Sequence, residues 1–550
     1  MAIKKLKFDA DYYYDKAEKY MDVGDPVNAV DYFCRSLALE PFNPWTIAEI
    51  ATCYSSMGQH MHALAWYYRA LAYEKNCDVA FLGIINFMAS FGQSETAAYY
   101  LKLSAETAAF DRITEEFDVD LDYDNPPENE EKRPIFKLAK QKRSEKYLSR
   151  AKRSLVTGDV KAAIENLERV EKDTPEFSEA AYYASLIRFD EGDFDKALDY
   201  GAALLEKDPD DSRGYVIRVA VYSKTGDLVK RDEAIAALMK IKPKNYVEAM
   251  GVAICFSDIS LSQEAEHFYE IAAGFLPYEK NALVPLAQCY HNNGKHDKAK
   301  EVMVKLCKLN PEDYSCAWLA RRLAADKGRV EMLSEIPGEA KLSLSKEILG
   351  ELSKYSTVDE LERAFDASDE LYEKITMLFS STDFETIGYA AEVFALSGKL
   401  RPFLRQIPVR MDAPFAIKQK CVSLLLTYEK KREFAAYVGD VIRFFSPRLP
   451  KCTKNSYIVA AYWKAYSTLS LLGLGCEKNL FSVMRRWCER IERIGRSECV
   501  NEIAAILAMK AFEDGVGVEA SMTLHKLSDF CELFGAETDL CEEIMKNIGD

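Results

Sequence analysis

The residues best able to do chemistry are few. Cys289, His291 and His296 lie within one short run, Cys-Tyr-His-Asn-Asn-Gly-Lys-His, and thiolate and imidazole are zinc ligands. Three such groups without a fourth make a poor metal set, and both histidines flank Gly294, where a turn between helices accounts for them. His60 and His62 flank Gly58 in the same way. No HExxH, GxSxG, P-loop or helix-opening GxGxxG occurs. Carboxylate pairs are numerous, as on any solvated helix face. Neither metal nor cofactor is expected, and the chain is read as a non-enzyme.

Composition narrows the partners. The 550 residues are 48% hydrophobic and 29% charged, enough to bury large cores, and carry a net charge of -16. Nucleic acid and anionic membrane are disfavoured, because both need excess Lys and Arg. No apolar run reaches the ~18–20 residues of a membrane span. Asp9, Asp11 and Asp15 stand where a secretory leader would be apolar. The 14 cysteines are too sparse for a disulfide scaffold and form no CxxC pair. A cytoplasmic location is expected.

The elements that carry these residues repeat. Gly24, Gly58 and Gly92 are evenly spaced, and Ala29, Ala63 and Ala97 keep the same interval, as do Gly158, Gly192 and Gly226. Pro175, Pro209, Pro243, Pro277 and Pro311 follow that step without a slip. Each unit reads as two helices. Ile47, Ile50, Ala51 and Tyr54 form one apolar stripe, Gly58 supplies the turn, and Ala63, Tyr67 and Ala70 form the stripe of a second helix. The small Ala lets the backbones approach and the aromatic fills the space beside it.

These landmarks resemble the tetratricopeptide (TPR) pattern, W-x2-L-G-x2-Y, A-x3-F and P in a unit of about 34 residues. Residues 10–43 match with Tyr13, Ala17, Tyr20, Gly24, Ala29, Phe33 and Pro41, and 280–313 with Ala287, Tyr290, Gly294, Ala299 and Pro311. Arg231 stands where Ala belongs and Ser260 where Gly belongs. The resemblance implies an all-α, TPR-type helical-hairpin solenoid in two arrays, with a degenerate all-helical C-terminal extension. The expected organisation is a first array over 1–111, an acidic linker leading into a basic helix over 112–143, a second array of five repeats over 144–313, and degenerate helical repeats over 314–550.

Charge is segregated. Residues 1–133 hold 23 acids and 12 bases, so -11 of the -16 lies there. Nine carboxylates fall between Glu115 and Glu131. They are followed by Lys137, Lys140, Lys142, Arg143, Lys146, Arg150, Lys152 and Arg153, which read as a hinge and an exposed basic helix face. Beyond Pro311 helical spacing is expected over Val358–Phe379, Thr386–Ser397, Ala413–Tyr428, Glu433–Phe445, Tyr457–Leu472 and Glu498–Phe512. The last helices, near Ser521–Gly549, are expected to cover the end of the stack.

Stacked hairpins present an extended face, and the resemblance implies that the first helix of each unit lines it. The second, fifth, ninth and twelfth places of those helices share one side. There the chain offers Tyr14, Trp45 and Leu82 in the first array, and Tyr182, Phe189, Met250, Val284 and Trp318 further on, with Lys152, Arg213 and His291 interspersed. Members that bind chaperone tails hold a carboxylate with Lys and Asn at set places. Here those places are Tyr14, Glu18, Ala48, Val79 and Gly83, so that clamp is absent. The expected function is a protein- or peptide-binding scaffold or adaptor. The alternatives are a ligand-sensing regulator closing about the acidic hinge, and an RNA-associated protein using the basic helix 137–153.

Overall fold

The computed structural model describes residues 9–105, 135–156, 158–325, 328, 330, 338–430, 432–515 and 526–548. The acidic run between Glu115 and Glu131 lies outside them, as do 331–337 and 516–525 and the side chains of Lys137, Lys140 and Lys142. The chain divides into two compact units. One comprises Met1–Val119, Cys307–Trp318 and Ile336–Asp550; the other comprises Asp120–Leu306 and Leu319–Glu335.

The N-terminal helices are α1 (Ala10–Asp22), α2 (Pro26–Leu39), α3 (Pro44–Ser56), α4 (His60–Tyr73), α5 (Asp78–Ser90) and α6 (Ser94–Ser104), which pair in sequence as three hairpins. Their boundaries follow from local chemistry. Asp9, Asp25 and Asn43 accept hydrogen bonds from the first free N–H groups of α1, α2 and α3, and Pro26 and Pro44 open their helices where no N–H is needed. Ala17, Ala29, Ala51 and Ala63 are buried at the helix crossings beside Phe33 and Tyr67, the close approach that the repeat pattern requires.

The next hairpins are α7 (Ile135–Val156) with α8 (Val160–Leu167), α9 (Phe177–Asp190) with α10 (Phe194–Lys207), α11 (Ser212–Thr225) with α12 (Leu228–Leu238), α13 (Tyr246–Asp258) with α14 (Ser262–Phe275), and α15 (Lys280–Asn292) with α16 (His296–Leu309). The turn inside most hairpins is left-handed: Gly58 has φ +75° and Gly226 φ +77°. Ser260 takes the same conformation at φ +63°. Its turn is closed by the same pair of bonds, Ser260 N–H to Ser257 O (3.0 Å) and Leu261 N–H to Phe256 O (2.9 Å), that close the Gly58 turn from Gly58 to Ser55 and from Gln59 to Tyr54. Stacking therefore holds a residue with a Cβ in a region that such residues avoid.

Helices α17 (Tyr314–Ala325), α18 (Gly338–Leu352), α19 (Val358–Ala367), α20 (Asp369–Ser380) and α21 (Phe384–Leu396) follow. The run expected as one helix over Val358–Phe379 is two, because Ser368 leaves helical geometry and its hydroxyl caps α20 by accepting from Leu371 N–H. After a 3-10 turn (Arg401–Arg405) come α22 (Gln406–Val409) and α23 (Phe415–Tyr428). The helix expected over Glu433–Phe445 is instead an antiparallel hairpin of β1 (Phe434–Val438) and β2 (Val441–Phe445), pairing Phe434 with Phe445 and Val438 with Val441. Gly439 and Asp440, both at positive φ, form the two-residue turn that suits the twist of such strands. The aromatic and β-branched residues on either side favour strand over helix. The chain ends with α24 (Ser456–Leu471), α25 (Glu477–Ile494), α26 (Val500–Glu513), α27 (Leu527–Phe534) and α28 (Thr538–Ile548).

In the first unit the N-terminal hairpins share one core with Val409, Ala435 and Ile442. Helix α4 is buried on nearly every side from Ala63 to Ala72. Tyr100 accepts from Ile442 N–H and donates to Tyr68, and Tyr99 donates to Ile442 O. Phe42, held at φ +76°, sets its ring 4.8 Å from Phe403. Arg69 lies over the Trp66 ring and gives Nη1 to both Glu312 oxygens, at 2.8 and 2.7 Å, while Ser380 donates to the same carboxylate. Burying Arg69 is tolerable because its charge is paired.

Two outcomes follow from this packing. Ser260→Gly relieves the left-handed strain and raises stability by about 1 kcal/mol, seen as a higher denaturation midpoint; an unchanged or lower midpoint contradicts the strain. Glu312→Ala leaves Arg69 buried and unpaired and costs about 3–5 kcal/mol, read in urea unfolding of the full chain.

Candidate binding faces

On the first helices of the N-terminal hairpins, Trp45 stands at the first turn of α3 and is 43% exposed. Its indole N–H points to Asp78 Oδ1 at 3.3 Å across to α5. Tyr14 on α1 and Leu82 on α5 are half-buried against the same core, and the Tyr14 ring meets Phe33 edge-on at 5.1 Å. Gly83 keeps this region narrow, because a Cβ there would fall inside the Tyr67 ring. Of the sequence-predicted residues, Tyr14, Trp45 and Leu82 therefore lie on neighbouring helices of one array.

Carboxylates share that face. Helices α1, α3 and α5 carry Asp11, Asp15, Glu18, Asp22, Glu49 and Asp78, and only two cations, Lys16 and Lys19. Lys16 is turned away onto the Tyr32 ring at 4.4 Å. The Glu49 carboxyl is pushed up to about 7, first by burial and then by Glu18 and Asp78. Tyr14 is raised by burial and then by Glu49 and Glu18. The groups whose charges bear on Glu49 come from α1 (Glu18, Tyr14), α3 (Cys53), α4 (Tyr67), α5 (Asp78) and Cys77. Reading for apolar places passes over Glu49 and Asp78. Their signal is that α3 and α5 contain carboxylates and no Lys or Arg.

In the other unit, Tyr182 and Phe189 lie half-buried on α9. Arg213 stacks toward Tyr182 at 5.9 Å and is gripped by Asp211 at 2.9 and 2.6 Å, so its charge is already met. Lys152 pairs with Glu179 at 2.8 Å. Met250 packs half-buried on α13, with Val247 and Ile254 exposed beside it. Val284 is buried, as is every residue of α15 from Ala282 to His291. His291 meets Gly328 O at 2.9 Å, and Asn292 holds both the N–H and the carbonyl of Val330 at 2.7 Å. The chain's own backbone thus covers that end of the face. Trp318 packs half-buried in a core of the first unit, beside Tyr314 and Ile348. Cys289 is buried, and the His291 and His296 rings meet edge-on at 4.8 Å. Among the described residues no group of three or more His, Cys, Asp or Glu is arranged to hold a metal, and no helix is long and apolar enough to cross a membrane.

Two family models match the sequence: a tetratricopeptide repeat over residues 148–212, and the N-terminal TPR repeats region of Psidin over residues 186–362. No curated protein matches the chain. Among solved structures, a tetratricopeptide repeat protein from Parabacteroides merdae is 13% identical, covers 55% of this chain and 98% of its own, and has a TM-score of 0.22. Yeast Tom70 is 14% identical, with 92% and 94% covered and a TM-score of 0.19. The APC/C hetero-tetramer Cut9–Hcn1 gives 12% identity, 96% of both chains and a TM-score of 0.21.

The raised Glu49 carboxyl sets a pH dependence. Folding keeps a proton on Glu49 above its ordinary 4.5. Its contribution to stability is therefore whole below that value and is lost as pH rises through about 7. Glu49→Gln is expected to gain in thermal midpoint over the parent chain at pH 8 and to gain least at pH 5. A gain that is the same at both values contradicts the burial of this carboxyl.

Proposed function

We propose that this chain, a member of the tetratricopeptide-repeat family, is a non-enzymatic scaffold that binds a protein or peptide along the first helices of its hairpins. The observation that carries the reading is Trp45. A large indole stands 43% exposed at the start of α3, its N–H directed to Asp78, between half-buried Tyr14 and Leu82. Such a ring has apolar area to lose on binding and little conformational freedom to give up, which is why Trp and Tyr anchor interfaces. In the other unit Tyr182, Phe189 and Met250 offer a second, half-buried aromatic and apolar stretch, flanked by the paired Arg213. Val284 and Trp318 contribute through packing. The scaffold works in the cytoplasm, a placement supported by sparse cysteines that are mostly buried and behave as small apolar residues.

The test compares partners recovered with the intact chain, Trp45→Ala and Met250→Ala from the native cell, followed by affinity measurement on each purified partner. A partner lost from Trp45→Ala, with affinity down about tenfold or more, supports the reading. Partners retained at full affinity by both variants overturn it.

A further inference from the structure

The face formed by α1, α3 and α5 carries two carboxylates, Glu18 and Glu49, that the described residues do not balance. Among the described residues neither Glu18 nor Glu49 has an ion-pair partner, although Asp31 pairs with Arg35 and Glu179 with Lys152. No Lys or Arg occurs in α3 or α5, and Lys16 of α1 faces Tyr32. The negative groups surround apolar area, with Trp45 exposed and Tyr14 and Leu82 half-buried. Crowding like charges about a partly desolvated face costs stability, and a bound cation converts that cost into attraction.

We infer that this face docks a cationic amphipathic segment of a partner protein, with an apolar side chain on Trp45, Tyr14 and Leu82 and Lys or Arg side chains on Glu18 and Glu49. The inference rests on the scaffold reading and gives it a partner chemistry. An anionic segment meets repulsion here, and a purely apolar one leaves the carboxylates desolvated without compensation. A basic group beside Glu49 also favours its ionised form, so docking releases a proton near neutral pH.

The probe is a helical peptide of Leu, Ala and Lys with Leu along one side, matched by a peptide carrying Glu at every Lys position. Both are titrated against the full chain at low ionic strength. The Lys peptide is expected to bind about tenfold or more tighter than the Glu peptide, and Glu18→Gln and Glu49→Gln each to weaken it about fivefold. Asp195→Asn, which removes an exposed carboxylate on α10, controls for the overall charge of -16 and leaves affinity unchanged. Buffer-dependent calorimetry near pH 7 detects proton release in the parent chain and a smaller release in Glu49→Gln. Equal affinity for the two peptides, or an equal loss in Asp195→Asn, overturns the inference. If Trp45→Ala still loses the native partner while the charge variants keep it, the scaffold reading stands and the cationic chemistry fails. If none of these variants matters, both fail.

Discussion

A helix pair joined by a short turn buries only the sides that its two helices turn toward each other. Each hairpin must hide the remaining apolar stripe against a neighbour, and that requirement organises the chain. The left-handed turn fixes how each pair closes, and the buried alanines fix how near the helices come. The strength of the requirement is visible at Ser260, which is held at φ +63° although its side chain disfavours it. It is visible again at Phe42, where ring packing against Phe403 and Tyr73 holds a bulky residue in the same region.

In the first unit the same need is met in an unexpected place. Helix α4 is apolar nearly all round, and the side that its hairpin partner leaves open is covered by the β-hairpin and by α22. Three of the polar groups brought inside find partners there: Arg69 with Glu312, Tyr100 with the Ile442 N–H, Tyr99 with the Ile442 carbonyl. Sequence-distant segments thus act as the next repeat would have done.

Much of this is legible in the sequence, for identifiable reasons. Gly, Ala and Pro have positional duties that few residues can take over, so the repeat step survives where the intervening side chains vary. Residues 433–445 read as a helix because short apolar runs fit helix and strand alike. The deciding signal is Gly439-Asp440 between two five-residue aromatic and β-branched runs. The docking of that hairpin on α4 is not legible, since no local pattern records a contact between segments so distant along the chain. Part of the candidate site can be read: periodicity alone places Tyr14, Trp45 and Leu82 on neighbouring helices. The burial of His291 cannot be read, because the carbonyl it meets, that of Gly328, lies on a segment far along the chain.

The central claim is that partners meet the chain on the first helices of its N-terminal hairpins. Site-specific photocrosslinking tests it most directly, with p-benzoylphenylalanine placed at Leu82 on α5 or at Met61, which is exposed on α4. The account predicts that the native partner crosslinks from position 82 and not from position 61. A crosslink from position 61 alone would contradict it.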